Sequence, residues 1–418
     1  MKETKNIEFK EEVSNTFLKT VSAYANYGTG IICFGIADDG TIRGIKDPVT
    51  ACLNIENKIN DSINPVPDYT LQTNETTGVI TLTVQEGLHK PYLYRSKAYK
   101  RNDTATIEAD RLELTRLILA GQNTSFEELP AKSQQLTFSV LEGKLKECLD
   151  LDEVTKDHLK TLELYDDKKG FNNAAELLAD QNSFPGIDAV RFGDSISILL
   201  DRETYTGESI LKQYDHALAL YRKYYQYEII RGSTRENVER IPEKAYREAI
   251  ANALIHRTWD VPSCINVAMF EDRIEITSPG GLPQGVSEES FLRGGISQLR
   301  NRIIGTVFFR LHLIEHFGTG IRRINESYAA SARKPVYKVL SDSIHIILPV
   351  IESVTNLPED EMKVLACIRG KRVSSSEIAE AVGFGKSKVV SILKKLVASG
   401  HIRQIGSGRG TQYTAERS

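Results

Sequence analysis

Apolar and polar side chains alternate along residues 6–12, which read NIEFKEE. A period of two predicts a β-strand, because successive side chains of a strand point to opposite faces. Ile7 and Phe9 would face a core, while Glu8 and Lys10 would lie together on the other face. The pattern therefore predicts an opening strand that places an acid and a base side by side.

The pattern then changes to the helical period. In SNTFLKTVSAYANYG the apolar residues recur every three or four positions, with Ser14 as a candidate cap and Gly28 as a stop. The segments that follow predict a buried strand GIICFGIA, a tight turn DDGT and a returning strand IRGI. Further on we expect a strand VITLTV, an edge hairpin from PYLYR and AYKR, and a closing helix IEADRLELTRLILAG. This alternation predicts an α/β domain over residues 1–120.

The rest of the chain divides into three segments by pattern. Residues 121–235 show helical patterns around one probable strand, SISILL, and are expected to form a mixed helical connector or scaffold. Residues 236–350 return to a mixed α/β pattern, with the helix EKAYREAIANALIHR and the strands CINVAMF and RIEIT. Residues 351–418 begin with a linker and predict a small C-terminal domain.

Three short helical patterns followed by a glycine-rich hairpin make up that C-terminal domain. Ser374 and Glu377 have capping-box spacing at the start of its second helix. This order predicts a winged helix-turn-helix, a fold that lays its third helix in the major groove of DNA. A winged helix that makes only protein contacts is the alternative. The candidate nucleic-acid contacts are Lys386, Lys388, Ser391 and Lys395 on the third helix, and Arg403 and Arg409 on the hairpin.

Charge distribution changes the picture more than total charge does. The chain of 418 residues has a net charge of −3, which alone argues against a nucleic-acid partner. Residues 359–418, however, contain 11 Lys and Arg against 6 Asp and Glu, a balance of +5. A basic segment on an acidic body indicates contact with a polyanion.

Composition also excludes several classes of protein. The five cysteines are widely spaced without a C-x-x-C pair, which favours a reducing compartment over a disulfide framework or a zinc cluster. No apolar run approaches the roughly 20 residues of a membrane-spanning helix. With a charged N-terminus besides, we expect a cytoplasmic protein without a membrane partner.

The middle segment contains polar residues at spacings that suit a nucleotide site. Glu248 and Asn252 are one helical turn apart, and Gly318, Thr319 and Gly320 follow in HFGTGIRRI. An Asn can hold Mg²⁺, a Glu can activate water, and glycine amides can surround phosphates. Taken singly these are weak signals, and a lone G-T-G is usually only a turn.

In this order the motifs resemble the GHKL nucleotide-binding fold of gyrase, histidine kinases and MutL. The resemblance implies an α/β sandwich in which Glu248 is the general base, Asn252 the metal ligand, and Gly318, Thr319 and Gly320 the phosphate loop for ATP. Where that family has an Asp that reads adenine, this chain has the sequence SPGG at 278–281. A degenerate fold kept for structure or dimerisation is the alternative to ATP binding.

Acidic residues near the N-terminus suggest a second site. Glu3, Glu8 and Asp38 are carboxylates near predicted strand ends, and Lys10 shares a strand face with Glu8. Carboxylates of this kind with a Lys are what divalent-metal phosphodiester chemistry needs. Spacing alone favours the simpler interpretation, that all four are surface charges on an edge strand.

A wider resemblance joins these motifs. IEFK, VSAYANYGTGIICFGIADDGTIRGI and HKPYLYRSKAYKRNDTAT together resemble the Schlafen-type AlbA-like domain. Followed by YREAIANALIHRTW, FEDRIEITSPGGLP, IEHFGTGIRRI and the winged helix, they resemble a bacterial family of transcriptional regulators whose members are often described as ATP-binding or helicase-related. The expected fold class is multidomain α/β (α+β), with an AlbA-like domain, a GHKL-like module at 236–350 and a winged helix-turn-helix.

The Schlafen resemblance implies a role for the N-terminal acids. In vertebrate relatives two Glu and one Asp cleave tRNA, and Glu3, Glu8 and Asp38 match them, with Mg²⁺ or Mn²⁺ as the metal. On the edge hairpin, the candidate phosphate contacts are Arg95, Lys97, Lys100 and Arg101.

These observations predict a DNA-binding transcriptional regulator, with an ATP-responsive middle domain as an added expectation. A metal-dependent endoribonuclease that acts on tRNA or other RNA in stress or phage defence is the alternative, and an ATP-driven conformational machine is a third. A homodimer is expected, since helix-turn-helix proteins commonly read paired half-sites.

Overall fold

The computed structural model describes residues 2–150, 152–231, 234–283, 286–294, 298–315, 318–351, 358–368, 371–399, 401–406 and 408–414. These residues form two compact units, residues 1–126 and residues 127–418. Mixed α/β structure runs through both, as the sequence predicts. No helix in the described part of the chain combines the length and apolar character that a membrane crossing requires.

The first unit is built on a four-stranded sheet. Its strands are β1 (Ile7–Lys10), β2 (Gly30–Phe34), β3 (Ile63–Asn64), β4 (Tyr69–Asn74), β5 (Val79–Val84), β6 (Leu93–Tyr94), β7 (Tyr99–Asn102) and β8 (Ala105–Glu108). Its helices are α1 (Phe17–Tyr27), α2 (Pro48–Ser62) and α3 (Arg111–Gly121). The sheet has the order β1-β2-β5-β4, with β1 parallel to β2, while β3 pairs with β6 and β7 with β8.

Helix α1 forms because its apolar stripe has a sheet to cover. Phe17, Leu18, Val21 and Tyr24 are all at most 2% exposed and pack in one core with residues of β2 and β5. The helix crosses β2 so closely that a Cβ on Gly30 would lie 2.4 Å from the Tyr24 ring. The predicted strand, helix and buried strand of this region are confirmed.

Two predictions for the first unit are wrong. The returning strand predicted at 42–45 is only an isolated bridge between Ile36 and Ile42, because Gly44 turns away with a φ of 71° to pack on the residue 77 backbone. The predicted edge hairpin is also replaced. The turn at Arg95 and Ser96 closes after a single bridge, so β6 pairs with β3 and β7 pairs with β8 instead.

The second unit contains a six-stranded sheet of order β12-β11-β15-β16-β18-β17. From residue 165 to residue 349 the strands, whether in this sheet or in small two-stranded sheets, are β9 (Tyr165–Asp166), β10 (Gly170–Phe171), β11 (Ile187–Phe192), β12 (Leu199–Tyr205), β13 (Gln226–Arg231), β14 (Thr234–Glu239), β15 (Ile265–Met269), β16 (Arg273–Pro279), β17 (Val336–Val339) and β18 (Ser343–Pro349). The helices are α4 (Ser139–Leu149), α5 (Lys156–Thr161), α6 (Asn173–Leu178), α7 (Ile210–Tyr225), α8 (Glu243–His256), α9 (Glu288–Arg293), α10 (Arg302–Arg310) and α11 (Gly320–Ser327).

This sheet takes strands from both sides of residue 235, where the sequence predicts a domain boundary. Strands β11 and β12 belong to the segment predicted as a connector, and β11 pairs in parallel with β15 from the next segment. Helix α8 packs against β16 and β18. The segment 121–235 therefore supplies part of the sheet that supports α8.

The C-terminal residues form α12 (Glu359–Ile368), β19 (Arg372–Ser374), α13 (Ser375–Val382), α14 (Lys386–Ala398), β20 (Arg403–Ile405) and β21 (Gln412–Thr414). Val389, Ile392, Leu393 and Leu396 hold α14 on the core, and each is at most 6% exposed. The predicted capping box at the start of α13 is present. Strand β19, which the sequence analysis missed, adds to the predicted hairpin to give a sheet of order β19-β21-β20.

Candidate nucleic-acid contacts and ligand pocket

Glu8 lies in a buried polar network rather than on an open strand edge. Its side chain is only 5% exposed. One carboxylate oxygen is 2.6 Å from Lys10 Nζ, and the other is 2.6 Å from the Arg101 guanidinium. Thr20 Oγ1 donates a further hydrogen bond of 2.6 Å to the second oxygen. The carboxylate is thus neutralised by two cations of the same chain.

Arg101 extends this network between separate elements. It is 8% exposed, and it donates to Thr106 Oγ1 at 2.9 Å and to the Thr4 carbonyl at 3.4 Å. The network therefore fastens the β7–β8 hairpin to β1 and, through Thr20, to α1. The prediction that Arg101 meets a phosphate backbone does not agree with this position, since its guanidinium is buried against Glu8.

The other two predicted metal-binding carboxylates do not join Glu8. Glu3 accepts a hydrogen bond of 2.7 Å from the Phe9 amide, and Asp38 is exposed in the turn after β2. Among the described residues no group of three His, Cys, Asp or Glu side chains is placed to hold a metal ion. The predicted cluster fails because Glu3 is engaged by the backbone and Glu8 by cations.

The remaining cations predicted along the edge hairpin are mostly engaged as well. Lys97 Nζ lies 2.7 Å from Glu108, and Lys100 pairs with Glu113. Arg95 forms no salt bridge within the described residues. Exposed pairs of this kind are weak, so a polyanion could compete for Lys97, but the hairpin does not present a free cationic surface.

In the second unit, the predicted face of α8 does meet the predicted glycine loop. Glu248 Oε1 and Asn252 Nδ2 are 3.5 Å apart. A Cβ on Gly320, the first residue of α11, would lie 2.6 Å from each of these atoms. A larger residue at 320 would require the Glu248 and Asn252 side chains to move. The sequence therefore predicted correctly that these three residues come together, while Gly318 and Thr319 precede α11.

Glu248 differs from Glu8 in its electrostatic surroundings. It is 9% exposed, and burial raises the pKa of its carboxyl above the ordinary value. Arg323 opposes that shift through its charge, but its guanidinium pairs with Glu315 at 3.3 Å. The carboxylate has a polar neighbour in Asn252 and no salt bridge within the described part of the unit.

A cleft of about 850 Å³, counting its open mouth, lies beside Asn252 between α8, β16, β18, α9 and α11. Its walls are largely apolar. The apolar lining residues include Ile276, Leu282, Phe291, Ile321, Ile344 and Ile346. Asn252, His256 and Ser278 contribute polar groups. A cleft with apolar walls and a few polar groups is the usual form of a small-molecule site.

Two of these polar side chains have a defined state: His256 in its protonation and Ser278 in its hydrogen bonding. Burial lowers the pKa of His256 to about 4, with a smaller contribution from Arg300, so its imidazole is neutral at pH 7. The Ser278 hydroxyl donates to the Ala253 carbonyl at 3.0 Å. In the GHKL resemblance, Ser278 takes the position of the Asp that reads adenine. Its hydroxyl proton is not available to a ligand, because it is donated to the Ala253 carbonyl.

These residues do not fit a nucleoside triphosphate well. No Lys or Arg is among the described residues that line the cleft. At the start of α11, where the phosphates were predicted, Gly320 lies so near the Glu248 carboxylate and the Asn252 amide that a Cβ added to it would be 2.6 Å from each. Phosphate groups placed there would meet a carboxylate instead of a cation, which is unfavourable in a poorly solvated site.

On α14, the predicted cationic stripe is partly paired inside the domain. Lys388 Nζ lies 2.6 Å from Asp360, and Lys395 Nζ lies 3.6 Å from Glu361. Both acids belong to α12, so these lysines flank the side of α14 that faces that helix. Both lysine side chains are nevertheless exposed, and such pairs are weak, so contact of Lys388 and Lys395 with DNA stays a prediction.

The outward face of α14 contains different residues. Ser387, Ser391 and Lys394 are exposed. They lie opposite the buried positions, because residues advance about 100° around a helix. The sequence analysis included Ser391 but missed Ser387 and Lys394. A helical projection centred on the shared direction of Val389 and Leu396 would have found them.

The predicted hairpin is present and follows α14 along the chain. Strands β20 and β21 pair antiparallel, with Arg403 opposite Thr414. Arg403 is exposed on β20, and Lys386 is exposed at the start of α14. The side chain of Arg409 lies outside the described residues. The cations of this domain are thus distributed over α14 and the hairpin.

Comparison with known proteins gives two family matches. Residues 3–110 match the family described as "Schlafen, AlbA_2". Residues 263–348 match "Putative ATP-dependent DNA helicase recG C-terminal". No curated protein matches the chain.

Two solved structures are similar to parts or all of the chain. The DIP2311 protein from Corynebacterium diphtheriae shares 19% identity over 98% of this chain and 92% of its own, with a TM-score of 0.48. The N-terminal domain of a RecG-related putative ATP-dependent DNA helicase from Nitrosomonas europaea shares 22% identity over 27% of this chain and 85% of its own, with a TM-score of 0.19.

The family matches confirm the resemblance that the sequence motifs indicate for the first and middle parts of the chain. They cover the buried Glu8 network and most of the sheet that forms the cleft. Residues 3–110 are thus similar to AlbA_2 domains of the Schlafen type, and residues 263–348 are similar to the C-terminal, HATPase-like domain of RecG-related proteins.

Proposed function

We propose that the protein is a DNA-binding transcriptional regulator that contacts duplex DNA through the outward face of α14. The observation that carries the proposal is the exposure of Ser387, Ser391 and Lys394 on one face of this helix, with no salt bridge to Lys394 in the described residues. Hydroxyl and ammonium groups are suitable donors to phosphate oxygens and to base edges in the major groove.

The order of elements supports this choice of surface. Helices α12, α13 and α14 followed by the β20–β21 hairpin occur in the order that a winged helix would have. In that arrangement the third helix enters the major groove and the hairpin reaches the phosphate backbone. The balance of +5 over residues 359–418 would favour association with a polyanion.

The metal-dependent endoribonuclease receives less support. Its three carboxylates are Glu3, Glu8 and Asp38. Glu8 is already paired with two cations, and Glu3 with a backbone amide. In the regulator, the AlbA_2 domain would add a second contact with nucleic acid, weaker than that of α14 because Lys97 and Lys100 are paired.

Fluorescence anisotropy with a labelled random-sequence DNA duplex tests the proposal on the full-length protein. Lys394→Glu should weaken binding about tenfold or more, since it replaces a phosphate contact by a repulsion. Lys338→Glu is the matched control, because Lys338 is also an exposed lysine, on β17, and its replacement changes the net charge equally. Binding by the control should match that of the unaltered protein.

Three results would contradict the proposal: equal binding by both variants, no DNA binding by the unaltered protein, or affinity that does not fall with added salt. A parallel incubation with tRNA and Mn²⁺ addresses the nuclease. Cleavage that Glu3→Ala and Asp38→Ala abolish would favour that activity over the regulator.

A further inference from the structure

We propose that the cleft between α8, α9 and α11 binds a small, uncharged and largely apolar molecule rather than a nucleotide. The inference goes beyond DNA binding, and it does not depend on it. It departs from what the GHKL resemblance implies, because the residues around the cleft differ in charge and hydrogen bonding from those that a triphosphate requires.

The walls of the cleft set the main character of the ligand. Ile276 of β16 and Ile344 and Ile346 of β18 form an apolar floor, and Phe291 of α9 lies across from them. Transfer of apolar ligand surface from water to such walls is favourable. The space of about 850 Å³ includes solvent at the open mouth of the cleft, so the enclosed part suits only a small ligand.

Electrostatics then exclude highly charged ligands. None of the described lining residues is a Lys or an Arg. Glu248 lies beside Gly320 at the start of α11, and burial raises the pKa of its carboxyl. A second anion beside it would raise that cost further, so a neutral molecule is favoured over a phosphate-bearing one.

Two polar groups remain to orient the ligand. The Asn252 side-chain amide lines the cleft, and its nearest polar neighbour, Glu248, is 3.5 Å away, at the limit of a hydrogen bond. His256 also lines the cleft and is neutral at pH 7, so it offers one donor or one acceptor nitrogen. A ligand with one or two uncharged hydrogen-bonding groups at one end would satisfy both.

Binding of the neutral fluorophore N-phenyl-1-naphthylamine to the full-length protein tests this proposal. Its emission rises in apolar surroundings, so titration gives an apparent dissociation constant. Ser290→Trp places an indole in the mouth of the cleft from α9, at a half-buried position. Glu288→Trp adds the same side chain to the same helix at an exposed position that does not line the cleft, and it serves as the matched control.

We expect the unaltered protein and Glu288→Trp to bind the fluorophore equally, and Ser290→Trp to bind about tenfold more weakly. Millimolar ATP with Mg²⁺ should leave the emission unchanged. Equal binding by both variants would place the fluorophore elsewhere and overturn the proposal. Displacement of the fluorophore by ATP with Mg²⁺ would overturn it in favour of a nucleotide. Because the readout contains no DNA, either failure is distinct from failure of the regulator.

Discussion

Two buried glutamates, one in each unit, show how different surroundings give different chemistry to the same side chain. Glu8 is 5% exposed and lies 2.6 Å from both Lys10 and Arg101. Glu248 is 9% exposed, has Asn252 at 3.5 Å, and has a raised carboxyl pKa. In the sequence both belong to motifs that predict catalysis.

The difference shows that residue spacing in the sequence predicts only which side chains are neighbours within one helix or strand. Glu8 acquires Arg101 from a hairpin 93 residues away, and that cation offsets the cost of burial. Glu248 acquires the backbone of Gly320 instead, which provides no charge. The first glutamate therefore contributes to stability, whereas the second leaves a site with an unpaired acid at its edge.

The largest expected effect comes from removing Arg101, one of the two cations that pair with Glu8. Arg101→Met should destabilise the first unit by roughly 3–5 kcal/mol, because it leaves a buried carboxylate with one partner fewer. Thermal unfolding followed by circular dichroism measures the loss. Lys97→Met, which breaks an exposed pair with Glu108, is the control and should cost at most about 1 kcal/mol. Equal losses would show that Glu8 does not depend on Arg101.

A third buried carboxylate, that of Glu127, tests how backbone hydrogen bonds, without a paired cation, affect the pKa of a buried acid. Glu127 is 1% exposed and accepts from the amides of Ile303 at 2.7 Å and Ile304 at 3.1 Å, at the start of α10. Burial, only partly opposed by these hydrogen bonds, raises the pKa of Glu127 to about 7 from an ordinary value of 4.5.

Because the folded-state pKa of Glu127 is above the unfolded one, its contribution to stability is present in full below pH 4.5. It is lost as the pH rises through about 7. Gln resembles the protonated carboxyl and does not titrate, so the variant and the unaltered protein should melt at similar temperatures near pH 4.5, and the unaltered protein should melt at an increasingly lower temperature than Glu127→Gln as the pH rises to 8. Parallel melting curves across that range would show that Glu127 does not titrate there.

The smallest effect is expected at Glu248. Its raised carboxyl pKa means that ionisation in the folded state is unfavourable, so stability falls as the pH rises through that pKa. Glu248→Gln removes the charge and keeps the shape. It should therefore raise the melting temperature slightly at pH 7.5 and have little effect near pH 4. A lower melting temperature at pH 7.5 would mean that Arg323 stabilises the ionised carboxylate after all.

Much of the local structure could be predicted from the sequence. The alternation around Ile7 and Phe9, the stripe of α1, and the capping box at Ser374 are each determined by neighbours within one or two turns or by strand period. The association of Glu248, Asn252 and the glycine at 320 was also predictable, because a known motif relates these distant segments.

The pairings that the sequence did not predict have a common physical cause. Lys97, Lys100, Lys388 and Lys395 were all expected to meet nucleic acid, and each is paired with an acid from another element. The strand β19 is only three residues long, so its pattern was weak. Which cation meets which acid depends on the packing of elements that are far apart in sequence.

The sequence by itself determined the order of helices and strands in its strongly patterned regions, the basic C-terminal segment, and the motifs that the two family matches confirm. Those properties depend on short-range periodicity and on composition. Only the tertiary structure decided that Arg101 is buried against Glu8, that Lys388 pairs with Asp360 while Lys394 forms no salt bridge among the described residues, and that no Lys or Arg is among the described residues lining the cleft beside Asn252. Such properties depend on which side chains from distant segments share a solvent-poor space, and there the free energy of a charge is set by its neighbours.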